Sequence, residues 1–335
     1  LAKSSFRLLA ALVLLSAGLP SPLVAEQSAT DAVEHSVEAP LASRSLLLDG
    51  IFVDGLAVAV GERGHVLVSQ DQGRSWRQLE VPTRATLTGV HFHDKQLGWV
   101  VGHDATILRT LDGGATWDRV YYDPGEESPL FDVWFRDAEN GFAVGAYGLF
   151  LVTSDGGATW TRQTVEEDEY SDFHLHHIAS TKSGRLFMAA EAGTIYRSDD
   201  AGRTWLSLPS PYAGSFFGTL LLDDDALLLF GLRGHLFRSE DAGETWQEVE
   251  TGSVALLNRG LRTSSGKLIV VGHEGTLLIS DDGGRSFTLR EQPDRQALAT
   301  LIEADDGGLI LVGEFGVNRL AEDGTVTVPA PWSRP

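Results

Sequence analysis

Apolar residues in this chain come in short runs parted by polar turns, and the order of those runs repeats. Leu87 to His93 reads as a strand, Asp94 to Gly98 as a turn and Trp99 to Val101 as a second strand. Gly102 to Ala105 turns the chain again, Thr106 to Thr110 makes a third strand, and after a tight turn Trp117 to Tyr121 makes a fourth. The same order opens the chain at Asp49 to Val53, Leu56 to Val60 and Val66 to Ser69. It closes the chain at Leu298 to Glu303, Leu309 to Val312, Val317 to Leu320 and Thr325 to Val328.

Two markers keep these units in step. The first is a turn phrase with Asp, Gly two later, Ser or Thr four later and an aromatic five later. It is complete at Asp71, Asp112, Asp155, Asp200, Asp241 and Asp282 and worn at Asp323, with a spacing of 41 to 45 residues. The second lies ten residues before each Asp, at Gly61, Gly102, Gly145, Ala190, Gly231, Gly272 and Gly313. Two motifs locked at one offset mark one supersecondary unit repeated seven times. Four strands in each predict an all-β, seven-bladed β-propeller of four-stranded antiparallel blades, spanning 45–328, with the phrase between third and fourth strands.

The phrase itself reads as structural. A short carboxylate accepts hydrogen bonds from nearby backbone N–H groups, the Gly takes positive φ, and the Ser or Thr hydroxyl satisfies another backbone group. The aromatic then buries its ring against a neighbouring sheet.

Composition changes the picture in three ways. Lys3 and Arg7, the apolar run Leu8 to Leu19 and small residues up to Ala25 predict a signal peptide over 1–25, with an uncleaved membrane anchor as the rival reading. The polar stretch 26–44 reads as a flexible leader and 329–335 as a C-terminal tail, so the protein is expected to be exported and periplasmic, lumenal or extracellular. The chain has no cysteine, which excludes disulfides, thiolate zinc sites, a cysteine nucleophile and a lipidated N-terminal Cys. A net charge of −21 opposes nucleic acid or anionic lipid as a partner.

Candidate chemistry lies away from the phrase. The glycine-marked turns between second and third strands present Arg63, His103, Asp104, Tyr147, Glu191, Arg233, His273, Glu274, Glu314 and Phe315, a varied surface on a fixed frame. First strands line the central channel, where Asp49, Asp132, His177, Asn258 and Arg259 are placed and Asp132, His177 and Arg259 converge. The longest inter-blade loop, Glu166 to Asp172, is acidic and precedes His174 and His176. On a strand Asp172, His174 and His176 share one side and are candidate ligands for a transition metal, against the plainer reading of polar channel lining. His91 and His93 alternate in the same way. No catalytic residue and no cofactor is assigned.

Repeated S/T-x-D-x-G-x-T-W phrases, each ten residues behind a pair such as Val101-Gly102, Val144-Gly145, Phe230-Gly231 or Val271-Gly272, resemble the photosystem II assembly and stability factor family. Its bacterial relatives are exported seven-bladed propellers with BNR (Asp-box) repeats. The resemblance covers almost all of the chain beyond residue 25. It implies a non-catalytic scaffold that binds a protein partner, a subunit of a membrane complex, during assembly. The alternative is a glycan-binding or glycan-hydrolysing propeller of the sialidase type. A hydrolase of that kind needs two carboxylates flanking the scissile bond.

Overall fold

Every repeat folds into its own four-stranded antiparallel sheet, and the seven sheets are blades 1 to 7 over residues 47–79, 87–121, 130–163, 175–207, 216–248, 257–291 and 298–327. The computed structural model describes residues 33–165, 172–320 and 326–327. The expected signal peptide, the tail, most of the acidic loop and the worn seventh phrase lie outside the described residues. Strand bounds agree with the repeat reading to within two residues in the first, second and last units.

Burial explains the apolar runs. The second strand of a blade is enclosed by the blades on either side, so both of its faces must be apolar. Leu56–Gly61, Leu186–Ala190, Leu227–Gly231 and Leu268–Gly272 are buried at every position. Fourth strands lie outermost, and Thr161–Gln163 is exposed throughout. The core is a set of inter-blade layers rather than one centre, with one apolar cluster at each of the seven joints.

Closure uses the same packing as the other joints. Ala57, Ala59 and Trp76 of blade 1 share a cluster with Ile310, Val312 and Val317 of blade 7, and each sheet is built from consecutive strands. The stretch 33–44, expected to be flexible, is instead fastened along blade 1. Ser36 N donates to Val81 O at 2.9 Å, and Val81 N donates back to Ser36 Oγ at 3.0 Å. Ala39 N donates to Gln78 Oε1, whose Nε2 donates to Val37 O. Ala42 then enters the cluster between blades 7 and 1, so this segment covers the closing joint without adding a strand to either sheet.

In each of blades 1 to 6 the Asp phrase seals the joint with the preceding blade, its aromatic lying in the cluster between the two. In blade 4, Asp200 Oδ1 accepts from Thr204 N at 2.9 Å, Oδ2 accepts from Thr204 Oγ1 at 2.7 Å, and Ser198 Oγ donates to Oδ1 while accepting from Gly202 N at 2.8 Å. Six complete copies share this pattern, with Ser69, Thr110, Thr153, Ser198, Ser239 or Ser280 as the buried hydroxyl. Hydrogen bonds from Thr204 and Thr159 favour the ionised carboxylates and hold Asp200 and Asp155 down to about 2. Gly202 has φ +85°, and a Cβ there would lie 2.3 Å from Phe142 of blade 3. Trp205 meets the same Phe142 edge-on, so the phrase locks its blade to the preceding one.

Candidate functional site

Phrase turns occupy one face of the ring, and the glycine-marked turns occupy the other. In each blade the first residue of the marked turn donates its N–H to the carbonyl just ahead of the first strand, as His103 does to Thr86 O at 2.8 Å and His273 to Leu256 O at 2.8 Å. That close approach explains the marker. A Cβ on Gly102 would lie 2.2 Å from Thr86 O, and one on Gly272 would lie 2.1 Å from Leu256 O.

The middle residue of the turn is left-handed and its side chain stands out from the face: Arg63 at φ 56°, Tyr147 at 52° and Arg233 at 58°. Tyr147 and Phe315 are among the exposed large hydrophobic residues. Glu191 and Glu314 are less free, because their carboxylates accept from His174 N and Ala297 N. Glu274 pairs with Arg295. His103, Asp104 and His273 remain at the surface or partly exposed.

Inside this face lies the channel mouth. A first strand is the inner edge of its sheet, so one row of its backbone groups faces the channel without a strand partner. Every first strand carries a bulge at the same place, skipping Leu48, Thr88, Phe131, His176, Phe217, Asn258 and Ala299 in the pairing register. A bulge re-aims its extra residue, and all seven line one cavity of about 400 Å³. Polar members tie blade to blade. Thr88 Oγ1 donates to Leu130 O at 2.6 Å, His176 Nδ1 to Phe216 O at 2.8 Å, and Asn258 Nδ2 to Leu298 O at 2.7 Å. Leu48, Phe131, Phe217 and Ala299 between them have no donor and give the mouth apolar walls.

One layer below, the predicted convergence is present. Arg259 of blade 6 crosses the channel, its Nη2 3.5 Å from Asp132 Oδ1 of blade 3, and His177 Nε2 lies 3.8 Å from Asp132 Oδ2. Each acid also serves the neighbouring edge strand: Val90 N donates to Asp49 Oδ2 at 2.9 Å and Ile178 N to Asp132 Oδ2 at 3.0 Å. His177 Nδ1 accepts from Thr219 N at 3.1 Å. Burial raises both carboxyls against the pull of Arg259, Asp132 to about 6. Burial, and then Arg259, hold His177 well below its ordinary value and so neutral.

The histidine and aspartate trio does not assemble as a metal site. Asp172 lies in a turn ahead of the strand, which begins only at Leu175. His174 Nδ1 accepts from Tyr147 N, and His176 Nδ1 is spent on Phe216 O. Among the described residues no three His, Cys, Asp or Glu side chains gather around a common point. Burial lowers His176 to about 4, so its ring is neutral; it stacks on Phe217 with centroids 4.4 Å apart. His91 is likewise lowered to about 4 by burial and stacks near Trp99 and Phe135.

Sequence reasoning puts the first strands along the channel, with Thr88, Phe131, His176, Phe217, Asn258 and Ala299 among their first residues, but it missed Leu48, which lies 13 residues before its glycine marker where the other six lie 14 before theirs. It also missed a cationic device on the opposite face. Arg109, Arg197, Arg238 and Arg319 of third strands donate to the phrase carbonyls of the next blade. Val68 holds that place in blade 1, and a lateral groove of about 450 Å³ opens there between Leu56, Lys95 and Gly113. No helix among the described residues is long and apolar enough to cross a membrane.

The family described as Photosynthesis system II assembly factor YCF48 matches residues 68–129 and 124–271, more than half of the chain. A Prochlorococcus marinus protein named Photosystem II assembly lipoprotein Ycf48 is 39% identical over 140 residues, which is 42% of either chain. The chloroplastic Photosystem II stability/assembly factor HCF136 of Cyanidioschyzon merolae is 35% identical over 95 residues, 26% of this chain and 22% of that one. The chain therefore spans well under two thirds of these relatives. A solved propeller described as YCF48 bound to D1 peptide superposes with a TM-score of 0.68 at 17% identity, covering 86% of this chain and 94% of that one, a likeness of fold. On the matched repeats and the fold together, the chain belongs to the Photosynthesis system II assembly factor YCF48 family.

Proposed function

We propose that this protein is an exported assembly scaffold whose marked-turn face takes a polypeptide segment of a membrane-complex subunit. The observation that carries the reading is the ring of bulge residues, which opens an apolar-walled mouth in the centre of a face ringed by exposed Arg63, Tyr147, Arg233 and Phe315. Family membership supports an assembly role, and the neighbour's D1 peptide supports a polypeptide as the bound species. Lys3, Arg7 and the run Leu8 to Leu19 support export to the periplasm, and cyanobacterial relatives named lipoproteins fit an exported protein. This chain has no cysteine through which such a lipid could be attached.

Affinity capture with residues 26–335 from solubilised membranes of the host tests the reading. A specific membrane-complex subunit should be retained, and the combined Arg63→Glu, Tyr147→Ala, Arg233→Glu, Phe315→Ala variant should lose it while unfolding at the same temperature. Retention unchanged by that variant overturns the choice of face. A glycan-array hit without any retained polypeptide replaces the reading by a glycan-binding one.

A further inference from the structure

On the phrase face four blades reach across to the next one with an arginine. Arg109, Arg197 and Arg238 donate to the carbonyl of the residue after the phrase Asp, at Gly156 (3.3 Å), Ala242 (2.9 Å) and Gly283 (3.2 Å). Arg319 reaches the equivalent Gln72 O across the closing joint. Each of these arginines pairs with the second-strand residue three before its glycine marker. Val68, Val152 and Ile279 hold that register in the other three blades. Of these, Val68 borders the lateral groove of about 450 Å³ between blades 1 and 2.

The groove keeps the partners that such an arginine uses. Gly113 follows Asp112, so its carbonyl is the equivalent acceptor, and among the described residues it accepts no hydrogen bond. Asp54 stands on the turn between the first two strands of blade 1, exposed and without a described partner. The same turn of blade 7 carries Asp306, which accepts from Arg319 at 2.7 Å while that arginine also serves Gln72 O. Leu56 and Val68 supply an apolar wall for an alkyl stem. A carbonyl, a carboxylate and an apolar wall in this arrangement suit a planar guanidinium fork better than a point charge.

We infer that the groove between blades 1 and 2 binds an arginine side chain presented by a polypeptide partner, with its stem on Leu56 and Val68 and its guanidinium on Gly113 O and Asp54. The inference is independent of the marked-turn face and gives the opposite face a contact of its own. At this joint an arriving side chain makes a bond that the ring leaves unmade, whereas at the Arg197 joint it would have to break one. A polypeptide is the source because the arginines that set the precedent stand on backbone beside the joint, and the groove holds such a side chain together with the backbone that carries it. The chain's net charge of −21 attracts a cationic partner. Arg77, paired with Val68 across the sheet, and Lys95 also border the groove. Both are exposed and screened by solvent, and Asp54 and Asp112 offset them; hydrogen bonds, first from Thr116, hold the Asp112 carboxyl below its usual range and so ionised.

The probe is N-acetyl-arginine amide, titrated into the mature chain with the backbone NMR shifts of Asp54, Gly113 and Gly114 as the readout. N-acetyl-citrulline amide keeps the shape without the charge, and N-acetyl-lysine amide keeps the charge without the fork. The arginine probe should saturate at about 1–10 mM and bind about fivefold more tightly than either analogue. Val68→Arg supplies a side chain from within the ring, in the register of the other four, and should abolish binding without lowering the melting midpoint. Asp54→Asn suits the residue's φ of 47° and should weaken binding about threefold to fivefold. The combined Arg63, Tyr147, Arg233 and Phe315 variant should bind the probe as the parent does, which separates failure here from failure of the marked-turn face. Equal binding of the citrulline or lysine probe overturns the inference, as does a folded Val68→Arg protein that still binds. Should Val68→Arg not fold, an affinity unchanged by Asp54→Asn overturns it. N-acetyl-glutamate amide moving the same resonances more than the arginine probe overturns it in favour of an anion held by Arg77 and Lys95. Free arginine binding more tightly than its blocked amide overturns the polypeptide source.

Discussion

Ser239→Ala isolates what one phrase contributes to the ring. The hydroxyl is buried, donates to Asp241 Oδ1 at 2.8 Å, and accepts from Gly243 N at 2.9 Å and Asp241 N at 3.2 Å. Alanine removes one donor from a carboxylate that keeps its bonds from Thr245, and strands the buried Gly243 N–H. An orphaned buried donor costs about 1–3 kcal/mol and a lost net hydrogen bond about 1 kcal/mol, so the variant should lose about 2–3 kcal/mol. At this chain size that lowers the unfolding midpoint by about 4–8 °C. Ser239→Thr supplies the control, because Thr110 and Thr153 fill the same role in blades 2 and 3 with bonds of the same length. It should stay within about 1 °C of the parent. Paired thermal and urea melts decide it. A Ser239→Ala midpoint within 1 °C of the parent, or a Thr variant as damaged as the Ala one, refutes the account of the phrase as a hydrogen-bonded seal.

Three further perturbations probe other layers. Trp99→Ala deletes a fully buried ring stacked on Phe135 and bonded to Gly156 O, and should cost about 3–5 kcal/mol in calorimetry, with Trp99→Phe costing less than half of that. Asp132→Asn should alter the pH profile of stability. The carboxyl is raised from 3.8 to about 6 in the folded state, so the parent is favoured below about pH 4 and loses stability as pH rises to 6; the variant should be flatter, and parallel profiles would refute the sign. Removing residues 26–44 should lower the midpoint by several degrees, since it deletes the Ser36 and Ala39 bonds and the Ala42 contact at the closing joint. A midpoint unchanged by that truncation would mean the segment rests on blade 1 without holding it.

Seven blades were legible because the residues that make a joint recur at fixed offsets. Asp, Gly and the aromatic of each phrase must meet the preceding blade in one geometry, so the repeat preserves them. The channel floor was legible for the same reason: period alone puts Asp132, His177 and Arg259 in one layer, and their chemistry pairs them. Leu48 was not legible as a site residue, because a bulge leaves no mark in the alternation of apolar and polar positions; only backbone register shows that it turns inward. The stretch 33–44 misled for a related reason. Its composition is polar and aperiodic, and what fastens it is a handful of single bonds from Ser36, Val37 and Ala39 to blade 1, which no pattern of hydrophobicity encodes. Asp172, His174 and His176 failed as a trio because a two-residue period holds only inside a strand, and Asp172 precedes it.

On the proposed function the two faces divide the labour between fold and recognition, and the hydrogen bonds give that division a physical basis. On the phrase face the acids, hydroxyls and several arginines are consumed by joints. Asp200 is bound by Thr204 and Ser198, and Arg197 by Ala242 O and Glu244, so a partner arriving there would have to break bonds that stabilise the ring. On the marked-turn face the joint is made by backbone, through the N–H of the first turn residue and the carbonyl ahead of the first strand. That leaves the second turn residue free of structural duty, which is why Arg63, Tyr147 and Arg233 can differ from one another while their φ angles agree within 6°. The channel mouth follows the same rule one layer in. Bulges supply seven side chains to the cavity, three of them tie neighbouring blades, and the remaining four can change without unpairing a strand. On the proposed function, a scaffold built this way can alter what it binds at Leu48, Phe131, Phe217, Ala299 and the outer turns while keeping every joint, which would place specificity within this family at those positions.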